Sequence, residues 1–336
     1  MTALTITARQ TDFRPTPWAA GAHAQSILAS AQPRRWRVQR AAEAYRAQAE
    51  ELLIDCGAGV RLLGHFNAPA DTRANHQPHL VVTLHGWEGS SDSIYNLTLG
   101  PRLQQNGFAT LRLNFRDHGE SHHLNEELFH SCRIDEVVGA FKWIGQQYPQ
   151  HRVSVVGYSL GGNFALRVAN RAAREGIALD RVVAICPVLD PAETMMALDS
   201  GSAIYEKYFI RKWRRSLVRK HAAFPHLYSF DDLAAFTNLR QMTDYFVTRH
   251  TEFDDLHTYL DGYAITHGRL DNIEVPTIML LADDDPVIPV QGLRNVRLPD
   301  AVELYRSPRG GHCGFLQGWR LRSWVDGFTL TQLQTG

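Results

Sequence analysis

Short, solidly apolar runs alternate with longer amphipathic stretches along most of the chain. His79–Leu84, Phe108–Phe115, Val153–Val156, Val182–Pro187 and Thr277–Leu281 are strand-length runs rich in Val, Leu and Ile. Runs without a consistent polar face suit strands of a parallel sheet covered on both sides. Ile94–Gln105, Ile134–Gln147, Asn163–Arg174 and Phe315–Leu333 carry helical periodicity, and Val302–Tyr305 reads as the last strand. Ahead of them, Glu51–Cys56 and Val60–His65 read as a hairpin joined at Gly57-Ala58-Gly59. Strand and helix in repeated alternation predict a doubly wound α/β domain: a mostly parallel central sheet flanked by helices.

Two regions break that rhythm. The first fifty residues are polar and irregular, with Pro15, Pro17 and Pro33 set against any long helix. From Asp190 to about His267 the pattern is amphipathic and helical, with no good strand. The chain therefore reads as one domain, with an irregular segment over 1–50, a core over 51–190 and 268–336, and a helical cap insertion over about 191–267. Within the insertion Tyr205, Tyr208, Phe209 and Trp213 fall near helical spacing. They either pack the cap onto the sheet or line an acyl pocket beneath it. The basic run Arg211-Lys212-Trp213-Arg214-Arg215 reads as the wet face of a cap helix rather than a phosphate site.

Composition narrows the function classes. Lys+Arg and Asp+Glu both count 35, and a zero formal charge argues against a nucleic-acid partner while favouring an uncharged substrate. The four cysteines, Cys56, Cys132, Cys186 and Cys313, form no CxxC pair. They read as free thiols rather than zinc ligands. His118, His122, His123 and His130 cluster in a polar stretch, where the HxxxH spacing of His118 and His122 has no clear third ligand, so no metal is expected. No stretch approaches the roughly 18 apolar residues of a membrane span, and the first residues do not read as a secretory leader. The expectation is a cytoplasmic protein with no integral membrane association.

The most specific chemical signal is Gly157-Tyr158-Ser159-Leu160-Gly161, set between an apolar strand and a helix. A sharp strand-to-helix turn lifts a serine clear of the sheet and leaves it at a helix N-terminus, where amide dipoles favour developing negative charge. Ser159 is the expected nucleophile. Such a serine needs a base and the base an orienting acid, in the chain order Ser, Asp or Glu, His. His312, in Gly310-Gly311-His312-Cys313-Gly314 after the last predicted strand, is the expected base. The acid belongs to the loop after Thr277–Leu281, which holds Asp283, Asp284 and Asp285 in a row; Asp285, opening D-P-V-I-P, is the choice and Asp284 the alternative. Oxyanion donors are expected at the N–H of Leu160, the residue after the serine, and at that of Trp87 in His85-Gly86-Trp87-Glu88-Gly89-Ser90. No cofactor is required by this set.

Further motifs extend the pattern: Phe13-Arg14-Pro15, Pro17-Trp18 with Gly21, His23 and Gln25, the run Asn114–Ser121, His130-Ser131, Tyr205 and Phe253-Asp254-Asp255. With His85–Ser90, Gly157–Asn163, Asp284–Pro286 and Gly310–Phe315, they make the chain resemble, over nearly its whole length, the YheT-like branch of the α/β-hydrolase superfamily. Relatives of that branch include ABHD1- and ABHD3-type lipid hydrolases and yeast medium-chain ester synthase/esterases. The resemblance implies the α/β-hydrolase fold, a triad of Ser159, Asp285 and His312, and hydrolysis of carboxylic esters with short- to medium-chain acyl groups. Some relatives pass the acyl group to an alcohol instead. Two departures stand out. After Phe253-Asp254-Asp255 only Leu260–Ala264 remains of the family's aromatic-rich stretch. The N-terminal membrane anchor of the eukaryotic relatives is not expected here, so phospholipid activity at a membrane is not carried over.

The reading is thus a serine esterase acting on a small-molecule ester. Its rivals are an acyltransferase and a binding module with a silent site. Dehalogenase and epoxide hydrolase readings fail because those relatives carry Asp where this chain has Ser159.

Overall fold

The computed structural model describes residues 7–70 and 77–335. Residues 1–6, on which the leader reading partly rests, lie outside the described residues. In chain order the elements are β1 (Ala8–Gln10), α1 (Ala22–Ser30), α2 (Gln32–Ala41), α3 (Glu43–Ala47), β2 (Glu50–Asp55), β3 (Arg61–Asn67), β4 (His79–Leu84), α4 (Ile94–Gln105), β5 (Ala109–Asn114), α5 (Ile134–Gln147), β6 (Arg152–Tyr158), α6 (Leu160–Glu175) and β7 (Arg181–Ile185). Then come α7 (Pro191–Ser200), α8 (Ala203–Ala223), α9 (Leu239–His250), α10 (Leu256–Gly262), β8 (Thr277–Ala282), β9 (Val302–Ser307), β10 (Leu316–Gln317), β11 (Arg322–Ser323) and α11 (Trp324–Gln334).

Nine strands form one sheet in the order β1-β9-β8-β7-β6-β4-β5-β3-β2. Every pairing from β1 to β5 is parallel, while β5–β3 and β3–β2 are antiparallel. The apolar runs follow from burial on both faces. Val155, Val182, Met279 and Leu281 join the core under α5 and α6, whereas Val156, Val183, Ile278 and Leu280 join the core under α4 and α11. Neighbouring side chains point to opposite faces, so a strand covered twice has few positions left for a polar residue. The β2–β3 turn carries Gly57, Ala58 and Gly59 all at positive φ.

Two sequence expectations are corrected. Residues 22–47 are not irregular but form three helices, and residues 8–10 add an edge strand paired with β9. Pro33 and Pro17 each occupy the first turn of a helix, Pro17 in a short 3-10 turn. There the missing N–H has no partner to lose and the fixed φ is already helical, so these prolines start helices rather than break them. The last helix begins at Trp324, not Phe315. Gly318 and Leu321 adopt positive φ, and the turn they make pairs β10 with β11 before Ser323 caps α11.

Helices α7–α10 stand between β7 and β8. A buried ion pair ties α8 to the segment after β5. Lys220 of α8, fully buried, donates to Asp117 Oδ1 at 2.8 Å and to the carbonyls of Asn125 and Glu127 at 2.6 and 2.9 Å. The second carboxylate oxygen of Asp117 accepts the Phe129 N–H. The cation is thus held by three oxygens of the segment that follows β5.

Candidate active site

Ser159 lies between the end of β6 and the first residue of α6, with φ 55° and ψ −120°. Such a conformation costs a non-glycine residue on the order of 1–3 kcal/mol and needs surrounding structure to hold it. The Ser159 N–H donates to Ile185 O, and its carbonyl accepts from Asn163 N and Val188 N. The flanking glycines make the turn possible by close approach: a Cβ on Gly157 would lie 2.2 Å from Gly161 O, and one on Gly161 would lie 2.2 Å from Leu84 O. The GxSxG spacing is therefore a packing requirement of strand, turn and helix at this site.

Strands β8 and β9 bring the partners. His312, on the loop after β9, has Nε2 2.9 Å from Ser159 Oγ. Its Nδ1 stands 2.8 Å from Asp285 Oδ2, on the loop after β8. Asp285 Oδ1 accepts from Val287 N and Ile288 N at 2.8 and 2.9 Å, which fixes the carboxylate plane. Asp284 turns elsewhere: its Oδ1 accepts the Gly311 N–H at 2.9 Å. Burial by itself presses the His312 imidazolium down, but the Asp285 carboxylate, with the Cys313 thiol group beside it, outweighs this and raises the pKa to about 9.

The loop His85–Ser90 lies against the serine. A Cβ on Gly86 would be 3.2 Å from Ser159 Cβ. Two buried histidines hold this loop. His85 Nε2 accepts the Phe115 N–H at 3.2 Å while its Nδ1 donates to Gly86 O at 2.8 Å. His118 Nε2 accepts the Glu88 N–H at 3.2 Å and its Nδ1 donates to Arg116 O at 2.7 Å. An imidazole that both donates and accepts must be neutral. Burial enforces this, pushing His85 down to about 4 and His118 well below its ordinary value. The N–H groups of Trp87 and Leu160 meet no protein acceptor among the described residues. The histidines weighed as metal ligands are dispersed: His122 Nε2 pairs with Ser216 Oγ, and His130 Nε2 lies 3.2 Å from Glu252. Among the described residues no three His, Cys, Asp or Glu side chains gather as a metal set.

A pocket opens beside Ser159, lined among others by Trp87, Leu160, Met195, Phe209, Trp213 and Phe246. The Trp87 ring stacks on Phe209 at 5.2 Å and meets Trp213 edge-on at 5.4 Å. The four aromatic side chains of α8 go to different places. Phe209 and Trp213 line the pocket, whereas Tyr205 bonds His23 Nδ1 at 2.9 Å and Tyr208 lies under the Lys212 ammonium. Of the basic run on α8, Arg211 and Arg215 are exposed. His130 and Ser131 also line the pocket. Sequence reasoning quoted them as a motif without a role, since a two-residue string carries no spacing signal. Cys313, next to His312, has Sγ 3.8 Å from Ile185 O, and Cys186 has Sγ 4.0 Å from Gly311 O, so each thiol lies against the chain beside the other.

Comparison with known proteins assigns the fold and the family. A family model described as alpha/beta hydrolase fold matches residues 79–318. The chain is 30% identical over 270 residues to the "Putative esterase YheT" of Escherichia coli (strain K12), covering 76% of each. It is 25% identical over 271 residues to the "Monoacylglycerol lipase ABHD2" of Mus musculus, a match spanning 73% of this chain and 63% of that protein. Among solved structures, a Pyrobaculum calidifontis esterase superposes with TM-score 0.54 over 96% of this chain and 97% of that one, at 16% identity, a likeness of fold.

Proposed function

This chain belongs to the α/β-hydrolase fold family, in its YheT-like branch, and from that premise we propose that it cleaves carboxylic esters by acyl transfer through Ser159. The observation that carries the reading is the continuous contact from Ser159 Oγ through His312 to Asp285, at 2.9 and 2.8 Å.

In the first half-reaction Ser159 Oγ attacks the ester carbonyl while His312 Nε2 takes its proton. Asp285 holds the imidazole in the Nδ1–H tautomer and stabilises the imidazolium that forms, in keeping with the raised pKa of His312. The carbonyl oxygen, now anionic, accepts from the N–H groups of Trp87 and Leu160, which carry no competing protein acceptor. His312 returns the proton to the departing alcohol and leaves an acyl-Ser159. Water, deprotonated by the same imidazole, then attacks the acyl carbon, and the imidazolium returns that proton to Ser159 Oγ as the C–O bond breaks and the acid leaves. No cofactor enters.

The acyl group occupies the apolar pocket under α8, where Phe209 and Trp213 close the space above Ser159. A pocket roofed by aromatic side chains supports short- to medium-chain acyl esters as substrates. The test is hydrolysis of p-nitrophenyl esters from acetate to laurate by the parent and by Ser159→Ala. Loss of most activity in the variant, up to about 10⁶-fold in serine-triad enzymes, supports the reading. Equal rates in both proteins overturn it. Ethanol added to the same assay separates hydrolysis from acyl transfer, because a transferase forms ethyl ester faster than free acid.

A further inference from the structure

The loop that presents His312 is poorly able to hold itself. Gly310, Gly311, Cys313 and Phe315 all adopt positive φ. Its own pairing amounts to Gly314 N and Phe315 N, both reaching Gly310 O. Those two bonds close the turn without fixing where it points. The Asp285 carboxylate orients the imidazole, but a ring can be oriented only as well as the backbone beneath it.

Besides the Asp284 carboxylate on the Gly311 N–H, helix α1 holds the loop from outside. The His312 N–H donates to Ser26 Oγ at 2.8 Å, across 286 residues of sequence. The Ser26 hydroxyl hydrogen is committed to Ala22 O at 2.8 Å, so its oxygen faces His312 as an acceptor. One residue earlier, the fully buried Gln25 brackets the far end of the loop. Its Oε1 accepts the Leu316 N–H at 2.6 Å, while its Nε2 donates to Leu316 O at 3.2 Å and to Ala19 O at 2.6 Å. The packing is backbone on backbone, since a Cβ on Gly314 would lie 2.6 Å from Gln25 O. The same helix touches the cap: His23 Nδ1 bonds the hydroxyl of Tyr205 on α8 at 2.9 Å.

We propose that Ser26 and Gln25 are positioning residues for the base, a brace that sets the height of the His312 imidazole over Ser159 by gripping the two ends of its loop. The inference rests on the reading of Ser159, His312 and Asp285 as the catalytic set. It gives the Gly21-x-His23-x-Gln25 motif a physical task that proximity in sequence to the serine never suggests. Neither side chain lines the pocket beside Ser159.

The test is steady-state kinetics of Ser26→Ala on a p-nitrophenyl ester, with a double-mutant cycle against His312→Ala. Alanine is the best helix former, so α1 itself is not weakened by the change. A misplacement of about 1 Å at a reacting group costs up to about 10²-fold in rate, so kcat is expected to fall between tenfold and a hundredfold with KM nearly unchanged. In the His312→Ala background the same substitution is expected to have no further effect, because there is no imidazole left to position. A merely structural role would lower both backgrounds alike. Gln25→Met, which removes the contacts to Leu316, serves as the second variant and is expected to follow the same pattern. Parent-like kcat in Ser26→Ala, or an equal loss in the His312→Ala background, overturns the brace. Activity that survives in Ser159→Ala overturns the underlying catalytic reading instead, so the two failures are told apart.

Discussion

Asp284 and Asp285 are neighbours in the chain yet hold different parts of one loop: Asp285 Oδ2 meets the His312 imidazole at 2.8 Å, while Asp284 Oδ1 meets the Gly311 N–H at 2.9 Å. Their substitutions should therefore separate. Asp285→Asn is expected to lower kcat by about 10⁴-fold, through loss of the productive tautomer. Asp284→Asn keeps an oxygen for Gly311 and is expected to stay within about tenfold of the parent, a loss of up to about 1.4 kcal/mol in transition-state stabilisation. Kinetics on one p-nitrophenyl ester decide it, and a larger loss in the Asp284 variant would reverse the assignment.

The raised pKa of His312 predicts an alkaline activity profile. The base form is the active one, so kcat/KM is expected to climb with pH through a midpoint above the ordinary 6.5 and toward 9. In Asp285→Asn the carboxylate no longer offsets burial, and the midpoint is expected to fall. The stability effect has the opposite sense. A folded-state pKa above the unfolded one adds stability that is complete below pH 6.5 and lost as pH rises through about 9. Denaturant midpoints across that window measure it.

The pocket predicts a shift in chain-length preference. Phe209 stacks on Trp87 over the space beside Ser159. Phe209→Ala is expected to move the optimum of the p-nitrophenyl ester series toward longer acyl chains, with Ser159 still labelled by a fluorophosphonate. An unchanged profile would put the acyl group elsewhere.

Lys220 predicts a stability effect without a chemical one. Lys220→Ala leaves Asp117 buried without its cation, which typically costs about 3–5 kcal/mol. Denaturant unfolding is expected to show a loss of this order, and addition of a soluble short-chain ester is expected to reveal activity wherever the variant remains folded. A loss below about 1 kcal/mol, the worth of a surface pair, would mean that the cap is anchored by other contacts.

Cys313 predicts sensitivity to oxidation. A hydrogen bond with Cys186 draws its thiol below the ordinary value against the opposing effect of burial, and the His312 charge adds to the pull. Thiolate character promotes oxidation, and a bulkier oxidised sulfur beside His312 would displace the imidazole. Peroxide is expected to inactivate the parent and spare Cys313→Ser; equal inactivation of both would count against it.

The sequence was sufficient wherever the physical cause is local. Apolar runs without a polar face marked β4, β6, β7 and β8 because a strand covered on both sides admits few polar residues. The glycines around Ser159 were legible because their spacing is fixed within five residues, although only Gly157 is crowded by the turn itself, while Gly161 is crowded by Leu84 O of the neighbouring strand β4. Chain order and the strands before them pointed to His312 and Asp285, and the structure sets His312 Nε2 2.9 Å from Ser159 Oγ and its Nδ1 2.8 Å from Asp285 Oδ2. The structure decided which of two adjacent aspartates faces the imidazole, since that depends on how the loop after β8 turns against the loop after β9. It also turned the prolines of the first fifty residues from expected breakers into helix starters, because a proline's effect depends on which side of the helix terminus it occupies. The contacts of Ser26 with His312, of Lys220 with Asp117 and of His118 with Glu88 left no trace in any sequence pattern. Each joins single polar groups across 286, 103 and 30 residues, and hydrogen bonds of that kind impose no periodicity on the chain; only the packed fold brings the partners to within 3.2 Å.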